Sequence, residues 1–180
     1  MPTSDETRAD MGRMAELAMQ GFHCSDVLLI MGLEAQGKEN PDLIRTVGAL
    51  AGGVGFTGDI CGAFTGGACL LGLYAGRGSA QDDEDPRLRV MIAELDEWFT
   101  AEQTDRYGGI HCRDIIGEDP QNIVARCPRI VGAVYRKVRA ILAEHGFEWH
   151  TGGPHQDRPP VARSVLPHAC PVASRLSQGA

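Results

Sequence analysis

The residues of this chain most able to do chemistry are six cysteines, at positions 24, 61, 69, 112, 127 and 170. A thiolate is a metal ligand, a nucleophile and a reductant, so thiols in this number invite a metal or redox reading. Six in 180 residues is too sparse for a disulfide-stapled mini-domain. The spacing removes several familiar uses. With no CxxC there is no thioredoxin-type active site and no zinc ribbon, and with no CxxCH no covalent haem is expected. The P-loop and HExxH patterns are missing; the stretch GGVGFTG has the glycines of a phosphate loop, but no Lys-Ser/Thr follows it. No nucleophile, base and acid form a readable set. No catalytic residue is assigned, and whether the protein is an enzyme stays open.

Helical elements must position these thiols. Residues 5–20 carry Met11, Met14, Ala15 and Ala18 at helical spacing, with Gly21 as a stop. Cys24 follows, and Ser25 or Asp26 can cap a helix holding Val27, Leu28, Ile30 and Met31. Asn40-Pro41 starts the next helix, through Leu43, Ile44 and Val47. Residues 46–76 then hold ten glycines and one formal charge, Asp59. The uncharged runs on either side of Asp59 are shorter than the about 20 apolar residues of a membrane span, so a span is not expected. The reading is a closely packed central helix from about Ile60 to Ala75, capped by Asp59. Gly62, Gly66, Ala68 and Gly72 would let neighbouring backbones approach. Asp85-Pro86 opens a helix striped by Leu88, Met91, Ile92, Leu95, Trp98 and Phe99, ended by Gly108-Gly109. Cys127-Pro128 begins the last helix, with Val131, Val134, Tyr135, Val138, Ile141 and Leu142 on one face and Gly146 as its stop.

No strand series and no internal repeat is found. The fold expected is all-α: a compact helical bundle over residues 5–146 with a glycine-rich central helix, then an irregular Pro- and His-containing tail over 147–180. Seventeen Lys and Arg against 24 Asp and Glu give a net charge of −7, which excludes a basic nucleic-acid footprint. The acidic, polar start MPTSDETRAD has no signal-peptide pattern. A cytoplasmic location is the expectation, and in a reducing compartment clustered cysteines serve as metal ligands or redox thiols.

Four cysteines share comparable settings. Cys24 and Cys127 stand just before helix starts, Cys61 in a first turn, and Cys112 in the loop after the Leu88–Phe99 helix. A helix N-terminus favours thiolate over thiol, so such residues could converge on one centre. The stretch Cys61-Gly-Ala-Phe-Thr-Gly66 fits a CGAxxG motif, with GFHCS upstream and HCRDIIG and ARCPRIV downstream. In that order the chain resembles the redox-active protein family named for the C_GCAxxG_C_C pattern, over roughly residues 10–145. A related region occurs in split-Soret cytochromes c. The resemblance implies a helical domain, a homodimer and an iron–sulfur cluster held by Cys24, Cys61, Cys112 and Cys127. The cytochrome likeness alone favours a 2Fe-2S type.

Other chemistries stay open beside the cluster: a metal-free thiol/disulfide oxidoreductase cycling dithiols, a structural zinc site, or a binding module with inert cysteines. His23 and His111, each before a pattern cysteine, are further ligand candidates. Arg113 and Arg126 would favour thiolates or an anionic cluster. Cys69 reads as a core cysteine and Cys170 as an incidental thiol of the tail. The role expected is electron transfer or redox sensing with an unknown redox partner protein.

Overall fold

The computed structural model describes residues 4–151. Within them the chain forms seven helices: α1 (Ser4–Met19), α2 (Cys24–Ala35), α3 (Pro41–Gly48), α4 (Gly62–Ala75), α5 (Arg87–Tyr107), α6 (Cys112–Ile116) and α7 (Gln121–Glu144). Among the described residues there is no strand, only one isolated antiparallel bridge between Ile60 and His111. The all-α expectation holds. None of these helices is long and apolar enough to cross a membrane.

Two helices make the centre. From Val27 to Leu33 α2 is apolar all round, and that whole stretch is buried, as a helical stretch without a polar face must be. α4 packs most extensively against α2 and also touches α5 and α7. Its glycines allow this. A Cβ on Gly66 would lie 2.7 Å from the Ser25 Cα, and one on Gly67 would lie 2.6 Å from Val134 Cγ1. A Cβ on Gly72 would meet nothing within 4 Å, so that glycine serves no close approach, and Ala68 is only half-buried. α5 and α7 close the bundle with Leu88, Met91, Leu95 and Phe99 on one and Val131, Val134, Val138 and Ile141 on the other. α3 covers a smaller cluster of Leu29, Leu33 and Val47, against which Cys69 packs.

Several helix starts differ from the expectation. Asn40 caps α3 as expected, its Oδ1 accepting from Leu43 N–H at 3.0 Å. α2, however, begins at Cys24 itself with His23 as cap, and Asp26 Oδ2 accepts the His23 N–H at 3.0 Å. Asp59 does not cap α4. Cys61 holds that position, and Asp59 Oδ1 accepts the Ile60 N–H at 2.8 Å instead. Cys127-Pro128 is not a helix start either. α7 begins after Asp119-Pro120, where Asp119 Oδ1 accepts the Gln121 N–H at 2.9 Å, and Pro128 lies inside the helix. Proline removes one N–H from the ladder. The carbonyl it leaves belongs to exposed Val124, where water can take it.

The chain after α7 also packs. Phe147 is buried, its ring under the Arg87 guanidinium at 4.3 Å. Trp149 stacks on Tyr74 at 5.4 Å, and its carbonyl accepts from the Tyr74 hydroxyl at 2.6 Å. The rest of the tail, with Cys170, lies outside the described residues.

Candidate redox site

The Ile60–His111 bridge assembles the first half of the site. Cys61 N–H donates to Ile110 O at 3.1 Å and Cys112 N–H donates to Asp59 O at 2.8 Å, so two cysteines 51 positions apart are tied through their own backbones. Both are buried, and their side chains hydrogen-bond to each other. One proton serves the pair. Cys61 keeps it, so its thiol is pushed far up. Cys112, accepting from Cys61 and from the Gly62 N–H with His111 alongside, is pulled down to about 6 despite its burial. The pair thus favours the ionised form at Cys112 and the protonated form at Cys61.

α2 brings the third thiol. Cys24 Sγ lies 2.6 Å from where a Gly62 Cβ would stand, and Leu50 O and the Ala51 Cα crowd the same point at 2.8 and 3.2 Å. Glycine at 62 is thus the room in which Cys24 sits. Burial pushes the Cys24 thiol up, while the N–H groups of Gly52, Ser25 and Cys24 itself favour its ionised form. The fourth thiol, Cys127, stands two turns into α7. Burial, then the proximity of Cys24 and Cys112, pushes it up to about 11. All four pattern cysteines lie within electrostatic reach of at least two of the others. Among the described residues no three His, Cys, Asp or Glu are arranged to hold one metal ion. The sulfurs share a neighbourhood and not a single coordination sphere.

The family model described as "Putative redox-active protein (C_GCAxxG_C_C)" matches residues 22–141, two-thirds of the chain. The chain belongs to the C_GCAxxG_C_C family. No curated protein and no solved structure matches it.

The four family cysteines therefore come from three helix starts and one helix interior. Cys24 and Cys112 are each the first residue of a helix, Cys61 is a cap, and Cys127 is mid-helix rather than at a start. Cys69 points away from them into the α3 cluster. His23 and His111 face carboxylates: His23 Nδ1 is 3.8 Å from Asp26, and His111 lies 3.2 Å from Asp114 and 3.5 Å from Asp59. Arg126 donates to Ile115 O at 2.6 Å and covers the Tyr107 ring, and Arg113 is 3.9 Å from Asp59.

One feature of this family member escapes the sequence reading. His23-Cys24-Ser25-Asp26 and His111-Cys112-Arg113-Asp114 are the same local device. In each, the aspartate accepts the histidine N–H, completing a capping box that fixes the cysteine as first helical residue. The repeated His-Cys-x-Asp was the available signal. The donors from Gly52 and Gly62 had none, because they are backbone groups.

Proposed function

We propose that the protein is a small redox carrier or sensor whose Cys24, Cys61, Cys112 and Cys127 bind one iron–sulfur cluster per chain. The observation that supports this is the convergence of four thiols from four separate elements, with backbone N–H groups of Gly52, Gly62 and Ala63 favouring thiolate at three of them. Such donors suit an anionic centre, since hydrogen bonds to sulfur raise its reduction potential. The donor set fits the group: four thiols match Cys₄ ligation, and Ser25 Oγ, wholly buried beside Cys24, is a polar atom still without a partner. A 2Fe-2S type follows the cytochrome resemblance. When bound, the cluster supplies one-electron transfer. The chain's own part is to hold three of its thiolates at fixed helix starts and the fourth, Cys127, inside α7, and to surround them with apolar packing. The proposal includes a cytoplasmic location, a separate redox partner protein and a homodimer. A particle of 19.3 kDa by light scattering would remove the dimer.

A metal-free thiol/disulfide couple is the second reading, favoured by the hydrogen bond between Cys61 and Cys112. There the Cys112 thiolate and the Cys61 thiol would join as a disulfide, passing two electrons to the disulfide of an oxidised partner protein and releasing the one proton held by Cys61.

Purification without oxygen, followed by a visible spectrum and iron and sulfide analysis, separates the two. Brown protein with matching iron and sulfide is expected. Serine at 24, 61, 112 or 127 should each lose iron, and Cys69→Ser should keep it. Colourless protein that refuses reconstitution and reversibly loses two thiols on oxidation would establish the second reading instead.

A further inference from the structure

The first two turns of α7 carry an apolar face that nothing covers. Val124 is 79% exposed, and Ala125 and Pro128 beside it are exposed too. Further along, the same face is closed. Val131, two turns on from Val124, is buried, and a Cβ on its neighbour Gly132 would stand 2.7 Å from Met11 Sδ of α1. α1 runs back along α7, with Arg139 beside Asp10 and then Gly132 beside Met11. It stops at Met19, itself 81% exposed. A hollow of about 490 Å³ next to Val124, lined by Asp119, Gln121, Asn122 and Ala125 as well, gives a partner a seat.

The pattern of this segment is symmetric about its centre. Asp119-Pro120 precedes Val124 and Pro128-Arg129 follows it, at equal separations. Pro120, Val124 and Pro128 recur every four positions, which sets them along one side of the helix. Asp119 and Arg129 stand at the two ends with opposite charge, both exposed. Asp119 Oδ1 accepts the Gln121 N–H, and neither side chain forms an ion pair among the described residues. Laid antiparallel on itself, the segment sets Pro120 against Pro128, Asp119 against Arg129 twice, and Val124 against Val124. That is the condition an isologous contact must meet, and an unlike partner gives no reason for it.

We propose that a second copy of this chain docks here, the two α7 starts lying antiparallel about a two-fold axis at Val124. The inference rests on the homodimer part of the function proposed above and not on the cluster. It brings Cys127 of each copy, three positions from Val124, close to one axis.

The test uses the full chain, metal-free and without oxygen, in sedimentation equilibrium. The natural protein should run at twice 19.3 kDa. Val124→Glu should run at 19.3 kDa with unchanged helix content, since Glu suits the early turns of a helix. Arg129→Glu, which sets like charges against Asp119, should weaken the dimer at least about tenfold. Val90→Glu, at a half-exposed position of α5, should remain a dimer. Under mild oxidation Val124→Cys should form a covalent dimer that the natural protein does not, because a residue on a two-fold axis faces itself. A dimer that survives Val124→Glu would overturn the inference and leave the homodimer standing. A natural protein at 19.3 kDa would remove both and leave this face to another protein or to residues 152–180. If Val124→Glu loses helix content, the Val124→Cys bridge decides, and its absence would overturn the inference.

Discussion

At Cys112 a buried thiol is held ionised by a neighbouring thiol, and this fixes how the metal-free protein responds to pH. Its folded-state value, about 6, is below the ordinary thiol range near 8.5. Its contribution to stability is therefore complete above that range and disappears as pH falls through about 6. The thiols of Cys61, Cys24 and Cys127 are raised, so theirs is present below the ordinary range and is lost as pH rises above it. Stability should climb from about pH 6 to about pH 8.5 and decline beyond, as read by urea unfolding without oxygen across that span. In Cys61→Ala the donor is gone and the climb should flatten; an unchanged slope would show that Cys61 does not hold Cys112 ionised. That these four thiols would gather was legible in the sequence through their order around CGAxxG. Their inequality was not, because it comes from the Ile60–His111 bridge, which joins segments 51 positions apart and leaves no local trace.

Among the helices, α4 gives two glycines opposite roles. Gly66→Ala would press a methyl against the Ser25 backbone, which cannot move aside as a side chain could. A loss of about 1–3 kcal/mol is expected. Gly72→Ala meets nothing and removes a helix-weakening residue, so it should gain up to about 1 kcal/mol. Thermal unfolding of the pair should shift in opposite directions. Composition reveals that α4 is rich in glycine, but not which glycine faces a neighbour, since that depends on how α2 and α7 cross it. Helix boundaries were legible where one cap acts alone, as at Asn40-Pro41. The reading failed at Cys127-Pro128 for a definite reason. A proline ends a helix where its missing N–H strands a buried carbonyl, and α7 carries Pro128 on an exposed stretch, with its true start at Asp119-Pro120.

Across the whole molecule, the segment after α7 joins three helices near the end of α4 and the start of α5. Arg87 at the start of α5 donates to His145 O at 2.7 Å and lies over Phe147, and Asp85 holds the same guanidinium. Trp149 then lies against Tyr74 of α4 and Tyr135 of α7. Trp149→Ala should cost about 2–3 kcal/mol in urea unfolding, since it empties a partly buried aromatic contact and frees the segment carrying the Tyr74 acceptor. A change within about 0.5 kcal/mol would show that this segment only rests on the bundle. The bundle was readable from periodicity, but these aromatic contacts follow Gly146, where periodicity had already ended. The distribution of the four thiols along the chain also sets an order of events during synthesis. Cys24 emerges from the ribosome about 100 residues before Cys127, or roughly 5–20 s earlier at usual elongation rates. Throughout that interval the early thiols have no complete set of neighbours. No nascent fragment ending before α7 can bring all four thiols together, so the full set forms only after translation has passed Cys127.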